Sequence, residues 1–287
     1  MTLLTRRHLF EWLIGLPFLC ILPLGIRETK ADPSNPQRNE GDSSIGESFN
    51  GEELSYEIGF WLFKRAAIGK LSFMAGDKKG HYVSVLQAET LGVVGWVSRY
   101  RVDTYRATME EIDGGKRLRA ISFEEDVKIG SKSRKWIHQF DYQKRKWIKI
   151  RKKKDGRVDR SEEEIPPGMA YDDFLTASYN FRYGVYGAVE RGRRYIVPTF
   201  PRKGSSSYEV RVAGEEEERK RKKSEKPDNG KDLLIKLFLD PEVTHSKEGS
   251  IEGWLSKELY PVEGTIKSVV LFGDVKGILT KIIKKQT

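Results

Sequence analysis

The chain of 287 residues has one cysteine, Cys20. It sits in an apolar stretch near the N-terminus, so beyond that stretch neither a disulfide nor a thiolate can carry function. Histidine is scarce as well, with four residues. His81, His138 and His245 fall on a hairpin arm, a strand and a loop, and none stands at ligand spacing from another His, a Cys or a carboxylate pair. That spacing predicts no metal site, and no motif calls for a cofactor. There is no Gly-x-Ser-x-Gly elbow and no His-Glu-x-x-His pair. The adjacent carboxylates Asp172 and Asp173 precede a helical pattern, where capping and the helix dipole account for them. No catalytic residue is therefore nominated, although Asp172 and His138 are where a search for activity would start.

Long apolar runs are missing too. Residues 12–26 (WLIGLPFLCILPLGI) are uncharged but number only fifteen and contain Pro17 and Pro23. A bilayer-spanning helix needs roughly 20 residues. With the basic MTLLTRRH before it and Thr29-Lys30-Ala31 after it, the run reads as a signal peptide over 1–31. Thr5-Arg6-Arg7-His8-Leu9-Phe10 resembles a twin-arginine signal, with Glu11 where Lys is usual, so the general secretory and twin-arginine routes both stay open. The expected compartment is the periplasm or the exterior. The net charge of +10 would otherwise suggest nucleic acid, but export makes that partner unexpected.

Residues 32–50 (DPSNPQRNEGDSSIGESFN) are polar and rich in Ser, Pro and Gly, a composition expected of a disordered linker. The folded part is expected from Gly51 as a single β-rich domain over 51–283, with a short tail at 284–287. Leu54, Tyr56, Ile58 and Phe60 alternate with polar or small residues, the period of a half-buried strand. Strands at 70–75 and 82–89 flank GDKKG. Strands at 100–109 and 117–125 flank Asp113-Gly114-Gly115, and strands follow at 134–142, 146–153 and 158–165. Residues 172–184 break this period. Asp172 can cap a helix there and Gly184 can end it, with Phe174, Ala177, Ser178 and Phe181 on one face. Strands resume at 194–200, 207–214, 233–239, 249–255, 262–272 and 275–283. The fold class is mainly β: a large, strongly curved antiparallel sheet or open barrel with one packed helix.

Two charged stretches stand out. KRKWIKIRKKKDGR (residues 144–157) has nine Lys or Arg in fourteen positions. It suits an anion-binding face with Trp147 available to stack. A two-residue turn at Asp155-Gly156 would instead set Lys152 opposite Asp159, Lys149 opposite Glu162 and Trp147 opposite Glu164, neutralising much of it. EEEERKRKKSEKPDNG (residues 215–230) is expected as a solvated hairpin loop, or else a docking loop. The apolar LGVVGWVSRY (residues 91–100) does not alternate. It is either a mouth that meets a ligand or lipid surface, or a bend with Trp96 in the core.

Together these segments resemble exported bacterial proteins of domain of unknown function 3108. GEELSYEIGFWLFKRAAIGKLSF (51–73) looks like that family's opening strand pair, and YRVDTYRATMEEIDGGKRLRAISFEED (100–126) resembles its next hairpin. IPPGMAYDDFLTASYNFR (165–182) resembles its Pro-rich entry and helix, RYIVPTF (194–200) the following strand, and WLSKELYPVEGTIKSVVLFGDVKGIL (254–279) its end. The resemblance implies an exported β-rich domain and supplies no reaction. A hairpin-rich sheet around one helix is similar to open-barrel carriers of lipid or lipoprotein in the periplasm. The expected role is a non-enzymatic binder of an apolar or amphiphilic envelope molecule such as a lipid. Trp61, Leu91, Val94 and Trp96 are its apolar candidates, and Lys149 and Arg151 face anionic groups. Val269 and Leu271, with Trp254 beside them, lie on a wall strand. The alternative is an envelope assembly factor that docks a protein partner through strand edges or the charged loop.

Overall fold

The computed structural model describes residues 43–152, 156–202, 205–223, 230–238, 250–269 and 273–284. The chain runs through α1 (Ile45–Phe49), β1 (Glu52–Phe60), β2 (Phe63–Ala75), β3 (His81–Thr90), α2 (Gly92–Val97), β4 (Val102–Ile112), β5 (Arg117–Ile129), β6 (Lys132–Asp141), β7 (Lys146–Lys152) and β8 (Val158–Glu164). It continues with α3 (Phe174–Tyr183), β9 (Arg194–Arg202), β10 (Ser205–Val212), α4 (Glu215–Lys223), β11 (Leu233–Phe238), β12 (Ser250–Leu255), β13 (Pro261–Val269) and β14 (Gly273–Lys284). All fourteen strands join one sheet, in the order β8-β7-β6-β5-β4-β3-β2-β1-β14-β13-β12-β11-β10-β9. Two meanders, β1 to β8 and β9 to β14, are stitched together where β1 pairs antiparallel with β14. The mainly β, curved antiparallel fold expected from the sequence is what forms.

Alternation sets the curl. Leu54, Tyr56 and Ile58 of β1, Leu71 and Phe73 of β2, Tyr105, Ala107 and Met109 of β4, and Phe140 of β6 are all buried on one face. That face wraps α3. The sheet does not close by hydrogen bonds, since β8 and β9 are its two edges. Phe200 of β9 instead packs across the interior on Phe123, His138, Phe140 and Trp147.

The structure corrects several expectations. The fold begins before Gly51. Ser44 forms a capping box with Glu47 at the start of α1, and Ile45 is fully buried. A Cβ on Gly46 would lie 2.0 Å from the Tyr82 ring, so only glycine fits where α1 crosses β3. The cause is Ile45 and Phe49: two apolar residues in a polar stretch tie it to the core, Phe49 on Phe73 and Tyr179.

The β7–β8 register differs from expectation by one residue. Trp147 stands opposite Glu163, Lys149 opposite Ser161 and Arg151 opposite Asp159. Lys152 pairs with Val158, so five residues connect the strands rather than two. The charge is still met, by diagonal ion pairs of Lys146 with Glu162 at 2.8 Å and of Lys149 with Glu163.

Residues 215–223 form α4 rather than a loop tip. Four glutamates in the first turn and basic residues in the last complement the helix dipole. Buried Glu218 accepts a hydrogen bond from Leu234 N at 3.1 Å and pairs with Arg191 at 2.9 Å. The expected signal peptide, residues 32–42, the end of the charged block at 224–229 and His245 lie outside the described residues.

Candidate functional site

Helix α3 is the element around which everything else is placed. Its cap is Asp173 rather than Asp172: Asp173 Oδ1 accepts from Leu175 N at 2.8 Å and Thr176 N at 3.1 Å, and Oδ2 from Thr176 Oγ1 at 2.6 Å. Gly184 ends the helix in the left-handed region at φ 86°. Every residue from Phe174 to Arg182 is buried, because the curled sheet covers the helix on more than the one face its sequence marks. Asn180 pins it to β5, donating to Leu118 O and accepting from Leu118 N, both at 2.9 Å.

The two adjacent carboxylates are both buried. Asp172 Oδ2 accepts from Arg117 Nη2 at 2.9 Å, Asn180 Nδ2 at 3.2 Å and Tyr186 OH at 2.5 Å. Burial raises the Asp172 pKa, against the pull of Arg117 and these hydrogen bonds. Burial also raises Asp173 to about 6, opposed by the Thr176 and Leu175 donors and reinforced by the charge on Asp172. These bonds bind α3 to β5 and to the segment after α3, which is a structural use of both residues.

A pH dependence follows. Between the unfolded carboxylate pKa and about 6, the folded protein holds a proton on Asp173 that the unfolded chain has released. That contribution to stability is fully present below the unfolded pKa and is lost as pH rises through the folded value. Asp173→Asn keeps a capping acceptor and removes the titration. The unfolding free energy of the wild type relative to this variant should fall between pH 4 and pH 6.5, read by urea denaturation. A difference that stays constant with pH would contradict the assignment.

Beside α3 the concave face opens into a cleft. It is lined by Tyr56, Ile58, Leu71 and Leu86 from β1–β3, Phe174, Leu175, Ser178, Phe181 and Arg182 from α3, and Ile251, Leu255, Pro261, Gly264, Ile266, Val275 and Gly277 from β12–β14. It encloses ≈ 930 Å³ of empty space with its open mouth included, of which ≈ 80 Å³ admits the centre of a water-sized sphere. It is a small and mostly apolar slot. A row of glycines crosses β12–β14 here. Gly253 stands opposite Gly264, Gly264 opposite Gly277, and Gly277 opposite Ile58. Gly264 and Gly277 line the slot, whereas Ile235 covers the space beside Gly253.

Arg182 supplies the polar feature of the slot. Its two terminal nitrogens donate to Glu52 Oε1 and Oε2 at 2.6 and 2.8 Å. The guanidinium lies 4.7 Å from the Phe49 ring centre and 5.1 Å from that of Tyr260. Burial disfavours its charge, but the hydrogen bonds and charge of Glu52 prevail, and its pKa stands above the ordinary value. Its Nε is buried without a hydrogen-bond partner among the described residues.

The family model of DUF3108, described as a protein of unknown function, matches residues 55–280. The chain belongs to this family. DUF3108 membership thus takes in the slot from Tyr56 to Gly277. No curated protein matches the chain. A crystal structure titled as a β-barrel-like protein of domain of unknown function DUF1849 from Brucella abortus aligns with a TM-score of 0.43 and 12% identity, over 83% of this DUF3108 chain and 99% of that one.

Of the nine residues singled out in the sequence, none of the eight that the structure describes lines the slot. Trp61 sits at the β1–β2 tip and Trp96 on α2, both exposed, with Leu91 and Val94 half-buried beside Trp96. Of the two readings of 91–100, the one that put Trp96 in the core is overturned. The stretch instead folds as α2, with Trp96 on its outer side. Lys149 and Arg151 share the face of Trp147. Lys149 Nζ lies 4.0 Å from the Trp147 ring centre, and the Arg151 guanidinium 4.7 Å from that of Trp136. Trp254 is buried on the opposite side of β12 from Ile251 and Leu255, with Ala213 and Leu234 and with Lys222 of α4 5.3 Å from its ring centre. Val269 is buried opposite Gly273, and Leu271 lies outside the described residues. On β13 the slot is lined by Gly264 and Ile266, whereas Lys267 pairs at 3.0 Å with Glu252 on the side that faces α4. The missed signal was the glycines at 264 and 277, whose alignment depends on register.

Proposed function

We propose that the protein is a non-enzymatic binder or carrier of an amphiphilic cell-envelope molecule, such as a lipid, and holds an apolar chain of it in the slot between α3 and β12–β14. It acts in the periplasm or outside the cell, delivered there by the export signal read at residues 1–31. The observation that carries the reading is the glycine pair 264–277, which lines an apolar slot inside an otherwise packed core. Cores close such voids unless something fills them, because a void forfeits dispersion contacts along its lining. Arg182 and Ser178 are the polar side chains of α3 that border the slot, where a polar group of the ligand, for instance an ester carbonyl, would lie.

Gly277→Val tests this reading. Gly277 has no positive φ, and a Cβ there meets only Ile58 Cγ1, at 3.9 Å, so valine fits the strand and fills the slot. Native mass spectrometry of the wild type should show a co-purified amphiphile. The variant should stay as stable and bind at least about ten-fold more weakly, roughly 1.4 kcal/mol. Wild-type protein that is repeatedly empty and binds nothing from a lipid panel would sink the reading.

A second reading, an envelope assembly factor, draws on strand β8, which is exposed along its whole length at a free sheet edge. Protein adducts concentrated at β8 in cellular crosslinking would favour it over the carrier. The charged block offers it less, because Glu217 and Glu218 of α4 are occupied by Arg211, Lys236 and Arg191.

A further inference from the structure

One end of the sheet carries large apolar side chains that no other described residue covers. At the β1–β2 tip Trp61 is 74% exposed and Leu62 94%. In the β3–β4 connection Val93, Trp96 and Tyr100 are 66%, 70% and 61% exposed. Isolated exposed apolar residues are ordinary, whereas a cluster from two adjacent connections marks a contact surface.

The cluster is built in place. Trp61 packs so close to Gly273 that a Cβ there would lie 2.7 Å from its Nε1. Leu91 N donates to Ala66 O at 2.8 Å, and Tyr100 N to Gly95 O at 2.6 Å. Trp61, Arg99 and Tyr100 have φ of 48°, 59° and 51°, a region costly for such side chains. The backbone is therefore held in turns that present these rings outward.

The charge around the rings is mostly basic, although exposed Asp274 follows Gly273, against which Trp61 packs. Segments 60–65, 91–101 and 128–134 contain Lys64, Arg65, Arg99, Arg101, Lys128, Lys132 and Arg134 and no Asp or Glu. The third segment abuts the second, with Gly130 N donating to Arg99 O at 2.9 Å. Arg101 is buried against Asp103, and Arg65 meets Glu57 of β1 at 3.0 Å. Lys64, Lys128, Lys132 and Arg134 are exposed.

The geometry points to an anionic lipid bilayer as the surface this end docks on. Trp61, Leu62, Trp96 and Tyr100 enter the interfacial layer, and Lys64 and Lys132 face the headgroups. Trp and Tyr favour that layer because one end of each ring is apolar and the other polar. Basic side chains beside them add attraction to anionic lipid. A second copy fits poorly, since a self-complementary contact would bring the same positive charges together. Docking by this rim is independent of ligand binding in the slot. The two are neighbours all the same: Val275, which lines the slot, pairs with Phe60 at the base of the tip.

The test reads the rim itself, because residues 12–26 are apolar enough to meet vesicles on their own account. In a full-length Cys20→Ser background, an environment-sensitive fluorophore is attached at Leu62→Cys or, at the opposite end of the sheet, at Lys79→Cys. Vesicles of phosphatidylglycerol in phosphatidylcholine should shift the Leu62→Cys label to the blue and leave the Lys79→Cys label unchanged. Pure phosphatidylcholine should act more weakly. Lys64→Glu with Lys132→Glu should weaken the response by about five-fold for each charge removed. No shift at position 62, equal shifts at both positions, or a shift that grows with protein concentration without vesicles would overturn docking. The last outcome would assign the rim to a second copy.

Discussion

Glu52→Ala should destabilise the protein by about 3–5 kcal/mol, the usual result of stranding one partner of a buried ion pair. Glu52 and Arg182 are both buried, and the guanidinium is held by two parallel hydrogen bonds. Without Glu52 its charge would remain among the Phe49, Tyr179 and Tyr260 rings, which stack on it but offer no anion. A domain of this kind has a total stability of about 5–15 kcal/mol, so the variant would sit near the threshold of folding. The double variant Glu52→Leu with Arg182→Met separates the pair's net contribution from the penalty of breaking it. Apolar replacement of both partners is often neutral or stabilising, so urea midpoints of the double variant should return most of the way to wild type. A double variant as unstable as the single one would mean that the pair itself holds α3 to β1. Arg182 also borders the slot, so the double variant should alter ligand binding there as well.

Much of this architecture was legible because each meander strand carries its own period-two signal. Leu54-Tyr56-Ile58 and Ile251-Gly253-Leu255 could be assigned from their own spacing, without knowledge of any partner strand. What could not be read was contact between distant segments. The pair Glu52–Arg182 joins β1 to α3 across seven intervening strands and shows no local pattern. The slot depends on Gly264 and Gly277 falling level on neighbouring strands. Register there is set by irregularities between Trp254 and Leu255 and between Ile266 and Val269, which alternation alone does not place. The β7–β8 error has the same cause, since hairpin register follows loop length. An apolar segment such as 91–100 reads alike in the core and at the surface. Its exposure is decided by what packs on it, and among the described residues nothing covers Trp96.

Phe200→Ala should also lose about 3–5 kcal/mol, as expected for removing a buried aromatic from a packed core. The way the loss is distributed is the more telling result. Phe200 is 2% exposed, and its ring centre lies 4.6 Å from that of His138, 5.4 Å from that of Trp147 and 5.6 Å from that of Phe140. These partners are on β6 and β7, near one edge of the sheet, while Phe200 is on β9 at the other. Along the hydrogen-bond ladder β9 and β7 are almost as far apart as two strands can be. Across the interior they touch. The curl is thus shut by side-chain packing, supplemented by Asp172 N donating to Pro198 O at 3.2 Å. Truncating Phe200 should therefore open the seam before it melts the ladder. Amide hydrogen exchange should accelerate first in β9 and around residues 171–173, while β1 and β14, paired along their length, keep their protection. Phe200→Leu, which retains most of the volume, should lose much less. Uniform acceleration over all fourteen strands would show that the sheet unfolds as one unit and that the seam has no separate stability. Because the slot lies against β1–β3 and β12–β14, a seam that opens alone should leave ligand binding there nearly intact.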